Sequence, residues 1–165
     1  MNRFIAYNRV YQRKYISVAF VVKKKFEDKS EEGLAFQYVD TYNFWGGSSG
    51  EGPIAIPSPE LIDAGHRNGV PVTGTIFLPW GDSAYGNQFV REMVEKDENG
   101  NFIAADKLIE IAQYYGFDGY IFNAESGTGV AGFKEFLIYL QEHKPDNFTI
   151  SWYNGSGTVN ESSIK

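Results

Sequence analysis

The sequence predicts an α/β fold built on a parallel sheet, and three observations carry that reading. Strand-like and helix-like runs alternate from about residue 36 onward, which is the pattern of successive βα units. The run Val70–Leu78 is apolar on both faces and rich in β-branched residues, as suits a strand covered from both sides. All three tryptophans, Trp45, Trp80 and Trp152, fall where such runs end. Core packing would place them within strands or on helix faces instead.

The elements follow in order. Ile16–Val22 reads as a short strand, either of the same sheet or of a hairpin at its edge. The first clear strand is Gln37–Phe44, and it runs into a loop from Trp45 to Gly52 dense enough in glycine to turn sharply or approach a ligand closely. Ser58 is placed to cap a helix with Pro59 at its first position, and Asn68-Gly69 stops it. After the Val70–Leu78 strand, Phe89, Met93 and Val94 predict a short helix, and Asp97-Glu98-Asn99-Gly100 a turn. Leu108, Ile111, Ala112 and Tyr115 make the apolar face of a helix that ends at Gly116. Gly119–Phe122 is the next strand, Phe133, Phe136, Leu137 and Leu140 recur at helical spacing before Pro145, and Phe148–Trp152 is the last strand.

Composition bounds what such a fold can do. The chain has 165 residues, 42% of them hydrophobic and 22% charged, so it has enough apolar surface for a core without a staple. It contains no cysteine, which excludes a disulfide scaffold or a thiolate metal site and leaves the location open between cytoplasm and bacterial export. Its two histidines, His66 and His143, lack ligand spacing, and no nucleotide-binding glycine fingerprint follows a strand, so no cofactor or metal is expected. Residues 1–34 hold 8 Lys and Arg against 4 Asp and Glu, whereas residues 35–165 hold 7 against 17. We therefore read residues 1–34 as a basic segment with room for one extra strand, and 35–165 as the βα domain. An acidic main body repels phosphate, so nucleic acid is not an expected partner. No apolar run approaches the roughly 20 residues of a membrane span.

In parallel α/β architectures the reactive groups gather at the carboxyl ends of strands. Trp45-Gly46, Trp80, Asn123-Ala124-Glu125 and Trp152-Tyr153 occupy those positions, which predicts an aromatic-lined cleft. Asn123 and Glu125 are two apart, so an extended chain projects both to one side. A carboxyl in a partly desolvated aromatic cleft has its charged form disfavoured and suits general acid chemistry; the plainer alternative is that Glu125 caps the turn into Ser126-Gly127. A glycosidase normally needs two carboxyl groups, and only one stands out here. Substrate-assisted hydrolysis needs one: the sugar's own 2-acetamido oxygen attacks the anomeric carbon while Asn123 and Tyr153 steady the acetamide.

These residues resemble the endo-β-N-acetylglucosaminidases of glycoside hydrolase family 85. The resemblance covers roughly residues 36–154. It rests on Tyr38-Val39-Asp40 leading to Phe44-Trp45-Gly46-Gly47-Ser48, His66-Arg67-Asn68-Gly69-Val70-Pro71-Val72 and Gly74-Thr75-Ile76-Phe77, and continues through Tyr115-Gly116-Phe117-Asp118-Gly119-Tyr120, Asn123-Ala124-Glu125-Ser126 and Trp152-Tyr153. It implies a (β/α)8 TIM-barrel-like fold and cleavage between the two N-acetylglucosamine units at the core of N-linked glycans by retaining, oxazolinium chemistry, with transfer of the released glycan to other acceptors. It implies Glu125 as general acid/base, Asn123 as the acetamide-orienting amide and Tyr153 as the site tyrosine, with Trp45, Gly46, Trp80 and Trp152 as substrate-binding groups by position. A full barrel takes about 250 residues, so a partial barrel of four to five parallel strands is expected. Its open sheet edge would favour self-association. Two alternatives stay open: a non-catalytic sugar-binding remnant of such an enzyme, and a relative of the family 18 chitinases, which have paired acidic residues where this chain has Asn123.

Overall fold

The computed structural model describes residues 6–11, 14–22, 39–46, 52–78, 84–124 and 129–153. Seven strands form one sheet: β1 (Ala6–Tyr11), β2 (Lys14–Val22), β3 (Thr41–Trp45), β4 (Ile54–Ala55), β5 (Val72–Leu78), β6 (Gly119–Ala124) and β7 (Thr149–Tyr153). Four helices are described: α1 (Pro59–Arg67), α2 (Ala84–Met93), α3 (Ile103–Tyr115) and α4 (Phe133–His143). Strands β2, β3, β5, β6 and β7 lie side by side in chain order and are all parallel. Parallel neighbours taken in sequence order, with helices described between β3 and β7, make part of a TIM barrel, here with five parallel strands. The Ile16–Val22 run is both things the sequence allowed, since β2 joins the parallel series and also pairs with β1 as an antiparallel hairpin.

Strand limits follow from backbone chemistry. The Tyr42 N–H donates to the Pro71 carbonyl at 2.8 Å, but Pro71 has no N–H with which to extend the ladder towards earlier residues of the neighbouring strand. The β3–β5 ladder therefore starts only at Tyr42 and Val72, two residues later than the expected start of β5. That ladder is also short, covering Tyr42 with Val72 and Asn43 with Thr73. Above it β4 takes the edge of β5, Ala55 opposite Thr75. The sequence held no visible sign of β4, which has two residues and hence no periodicity. Its seat explains two glycines: a Cβ on Gly46 would collide with the Ala55 side chain, and one on Gly74 would sit 2.6 Å from the Ala55 carbonyl.

The helices start and stop where local chemistry directs. The Ser58 hydroxyl accepts from the Leu61 N–H at 3.4 Å, and the Asn68 side chain donates to the Ala64 carbonyl. Before α3, Asp97 accepts from the backbone N–H groups of Asn99 and Asn101 at 2.9 and 2.8 Å, and these bonds hold its carboxyl below the usual value. Gly116 ends α3 in the left-handed region at φ 79°. All the helices contribute to one apolar layer against the sheet, built from Val72, Ile76, Leu78, Tyr120 and Phe122 on strands and Ile62, Val90, Leu108, Phe136 and Leu140 on helices. Tyr120 donates to the Leu108 carbonyl at 3.1 Å, and burial pushes its phenol far above the ordinary value. At the amino ends of β5 and β6, Asp118 accepts from the Val72 N–H at 2.8 Å and meets His66 Nε2 at 2.7 Å. That clamp ties the end of α1 to the sheet through His66.

Candidate functional site

Registered neighbours in a parallel sheet point to the same side, and successive residues to opposite sides. The strand residues of the apolar layer define the helix-facing side, which leaves Asn43 and Trp45 of β3, Thr73, Thr75 and Phe77 of β5, Ile121 and Asn123 of β6, and Ser151 and Tyr153 of β7 facing inward. The buried polar side chains Asn43, Thr73, Thr75 and Asn123 all belong to this inner side. Barrel interiors are usually filled with bulky branched residues. Here the inner face carries buried polar groups beside Phe77 and Ile121, and within β5 the polar Thr73 and Thr75 sit on that side while Val72, Ile76 and Leu78 sit on the other.

The inner face rises to a rim at the carboxyl ends of the strands. Phe77, Asn123 and Tyr153 are aligned by register across β5, β6 and β7. The Trp45 ring meets the Tyr153 ring edge-to-face, centroids 5.0 Å apart. In a flat sheet β3 and β7 would stand about 14 Å apart, three strand spacings. The contact therefore shows that the sheet curls inward and that its concave side is lined by both rings. Asn123 is only 2% exposed, and among the described residues its side-chain oxygen has no hydrogen-bond partner. The Asn43 amide nitrogen and the Ser151 hydroxyl are likewise buried without partners there. Native proteins seldom leave such groups unpaired, and a concave face that does so is suited to a polar ligand or ordered water.

A profile for glycosyl hydrolase family 85 matches residues 22–164. The chain belongs to that family. Family 85 relatives with similar sequences include the cytosolic endo-β-N-acetylglucosaminidases of Danio rerio, 33% identical over 126 residues, and of Homo sapiens, 31% identical over 108 residues. These matches cover 72% and 61% of this chain but only 16% and 14% of the relatives. Among solved structures, the glycoside hydrolase domain of Endo-D from Streptococcus pneumoniae R6 superposes with a TM-score of 0.60 at 38% identity, over 72% of this chain and 19% of that one. The chain thus spans about one sixth of the curated family 85 proteins it matches, and it folds as a partial barrel of the same kind.

The sites expected from sequence divide three ways. Asn123, Tyr153 and Trp45 come together on the concave side. Glu125 and Trp80 lie outside the described residues. Trp152 and Gly46 have other surroundings. Trp152 registers with Phe122 rather than Asn123, stacks on that ring at 5.9 Å and 12°, and lies 6.2 Å from Phe133. It is therefore on the helix-facing side, because adjacent residues of one strand cannot share a face. Gly46 is set by its closeness to Ala55. The inner residues Asn43, Thr73, Thr75, Phe77 and Ser151 escaped the sequence reading, although each is the odd polar or aromatic position in an alternating run. A shallow depression bordered by Arg91, Val94 and Val130 lies between α2 and the start of α4 and includes none of them.

Proposed function

We propose that this chain carries the reacting part of an endo-β-N-acetylglucosaminidase site. It would cleave the GlcNAc-β-1,4-GlcNAc bond of the N-glycan core with retention. The observation that carries the reading is the Asn123 side-chain oxygen, buried and unpartnered among the described residues at the rim, in register with Tyr153. An acetamide N–H is a donor of the kind that oxygen lacks. With the acetamide so held, its carbonyl oxygen attacks the anomeric carbon and the bond to the second sugar breaks. Glu125, next but one to Asn123 in the chain, gives its proton to the departing O4. The oxazolinium intermediate is then opened by water, whose proton returns to Glu125, or by a sugar hydroxyl in transfer.

Family membership and the named activities of the relatives support this reading, as does the pairing of Trp45 with Tyr153 as an apolar wall for a sugar face. The test is release of glycan from a high-mannose glycopeptide. Glu125→Gln should lower the rate by about 10²- to 10⁴-fold, the usual worth of general acid catalysis. Unchanged release would overturn the mechanism. A sugar-binding role without turnover is the second reading, favoured by the Trp45–Tyr153 ring pair on the concave side, which suits a sugar face without needing an acid group. It predicts quenching of tryptophan fluorescence by the glycopeptide with no product.

A further inference from the structure

We propose that Thr75 is a positioning residue of the sugar site, acting through Trp45; the sugar part of this inference rests on the functional reading above. Thr75 is fully buried on the inner face. Its hydroxyl donates to the Phe44 carbonyl at 2.6 Å and accepts from the Gly46 N–H at 3.4 Å. Phe44 and Gly46 are the residues on either side of Trp45, so one hydroxyl grips the backbone before and after the indole.

The grip is needed because of the sheet's geometry. The β3–β5 ladder ends at Asn43 and Thr73, and β4 occupies the edge of β5 at the level of Thr75. Although β2 stays paired with β3 through Trp45, on the β5 side the strand loses the bonds that would fix its Phe44 carbonyl and Gly46 N–H. The Thr75 hydroxyl replaces them, and the Trp45 ring is thereby directed onto Tyr153, 5.0 Å away. Valine has the same shape and no hydroxyl, while serine keeps the hydroxyl and loses a methyl.

The test uses the chain labelled with 5-fluorotryptophan, whose Trp45 fluorine signal is assigned by its loss in Trp45→Phe. Thr75→Val should move or broaden the Trp45 signal while leaving that of Trp152 in place. It should also raise KM for the high-mannose glycopeptide about tenfold with a smaller change in kcat, as expected for loss of one oriented aromatic contact. Thr75→Ser should restore both readouts, which a purely packing role would not do. Should the valine variant fold poorly, Thr75→Ala provides a second hydroxyl-free form. An unmoved Trp45 signal in these variants, or a moved signal with unchanged KM, overturns the proposal. A wild-type chain that neither binds nor cleaves the glycopeptide would instead remove the glycosidase reading, leaving the fluorine signal alone to decide the ring's placement.

Discussion

On their helix-facing side the parallel strands present Tyr42, Val72, Ile76, Leu78, Tyr120 and Phe122, all buried in one apolar layer. On the other side the same strands present Asn43, Thr73, Thr75 and Ser151, with Asn123 level with Phe77 and Tyr153 at the rim. The outer side has its hydrophobic contacts completed by helices. Atoms of the inner side remain unpaired among the described residues. One alternation along each strand thus separates what stabilises this fold from what is available to a ligand.

Substitutions at adjacent residues can break that division. Phe122→Ala should have the largest effect, about 3–5 kcal/mol of stability in urea unfolding, because a fully buried ring is removed from the helix side. Asn123→Ala, one residue on, should cost clearly less stability than Phe122→Ala, because the side-chain oxygen it deletes has no partner among the described residues. It should lower glycan release by about 10²- to 10³-fold, comparable to losing one preorganised contact to developing charge. Equal stability losses at the two positions would erase the distinction between the faces.

The tryptophans sharpen it further. Trp45→Ala should weaken glycan binding about tenfold, read by calorimetry, through loss of its ring from the concave wall. Trp152→Ala should leave that affinity alone and cost about 1–2 kcal/mol, less than a buried ring because Trp152 is 43% exposed. The smallest expected effect belongs to Asp97, on the helix side. Its folded pKa lies below the usual 3.8, chiefly through the Asn101 backbone N–H. Its contribution is therefore present above the unfolded pKa and lost as the pH falls through the folded one. Thermal melts of Asp97→Asn should lose that acid-side component of the pH profile and differ little in shape at higher pH.

What could be read from sequence was what is decided locally. Ser58 with Pro59, the Asp97–Gly100 turn and Gly116 each declare themselves through their own backbone preferences, and the helices they bound lie close to expectation. What escaped depends on distant partners. Pro71 delays β5 only because β3 runs alongside it, with Tyr42 in register with Val72. The strand β4 exists only as an edge for β5. Trp152 was grouped with the site because it ends a strand, yet its neighbour Tyr153 takes the inward place and leaves it on Phe122. Asn123 and Tyr153 were legible as candidates from their places at strand ends, and then through the family resemblance. The polar floor beneath them was not, since threonine in a strand reads equally well as a β-former.

The clamp of His66, Asp118 and the Val72 N–H sits at the end of the sheet away from Asn123 and Tyr153. The clamp that holds α1 and the rim proposed to bind glycan therefore lie at opposite ends of the sheet. A library randomised around Asp118 and selected by melting temperature alone would vary this end of the sheet while leaving Asn123 and Tyr153 at the opposite rim untouched.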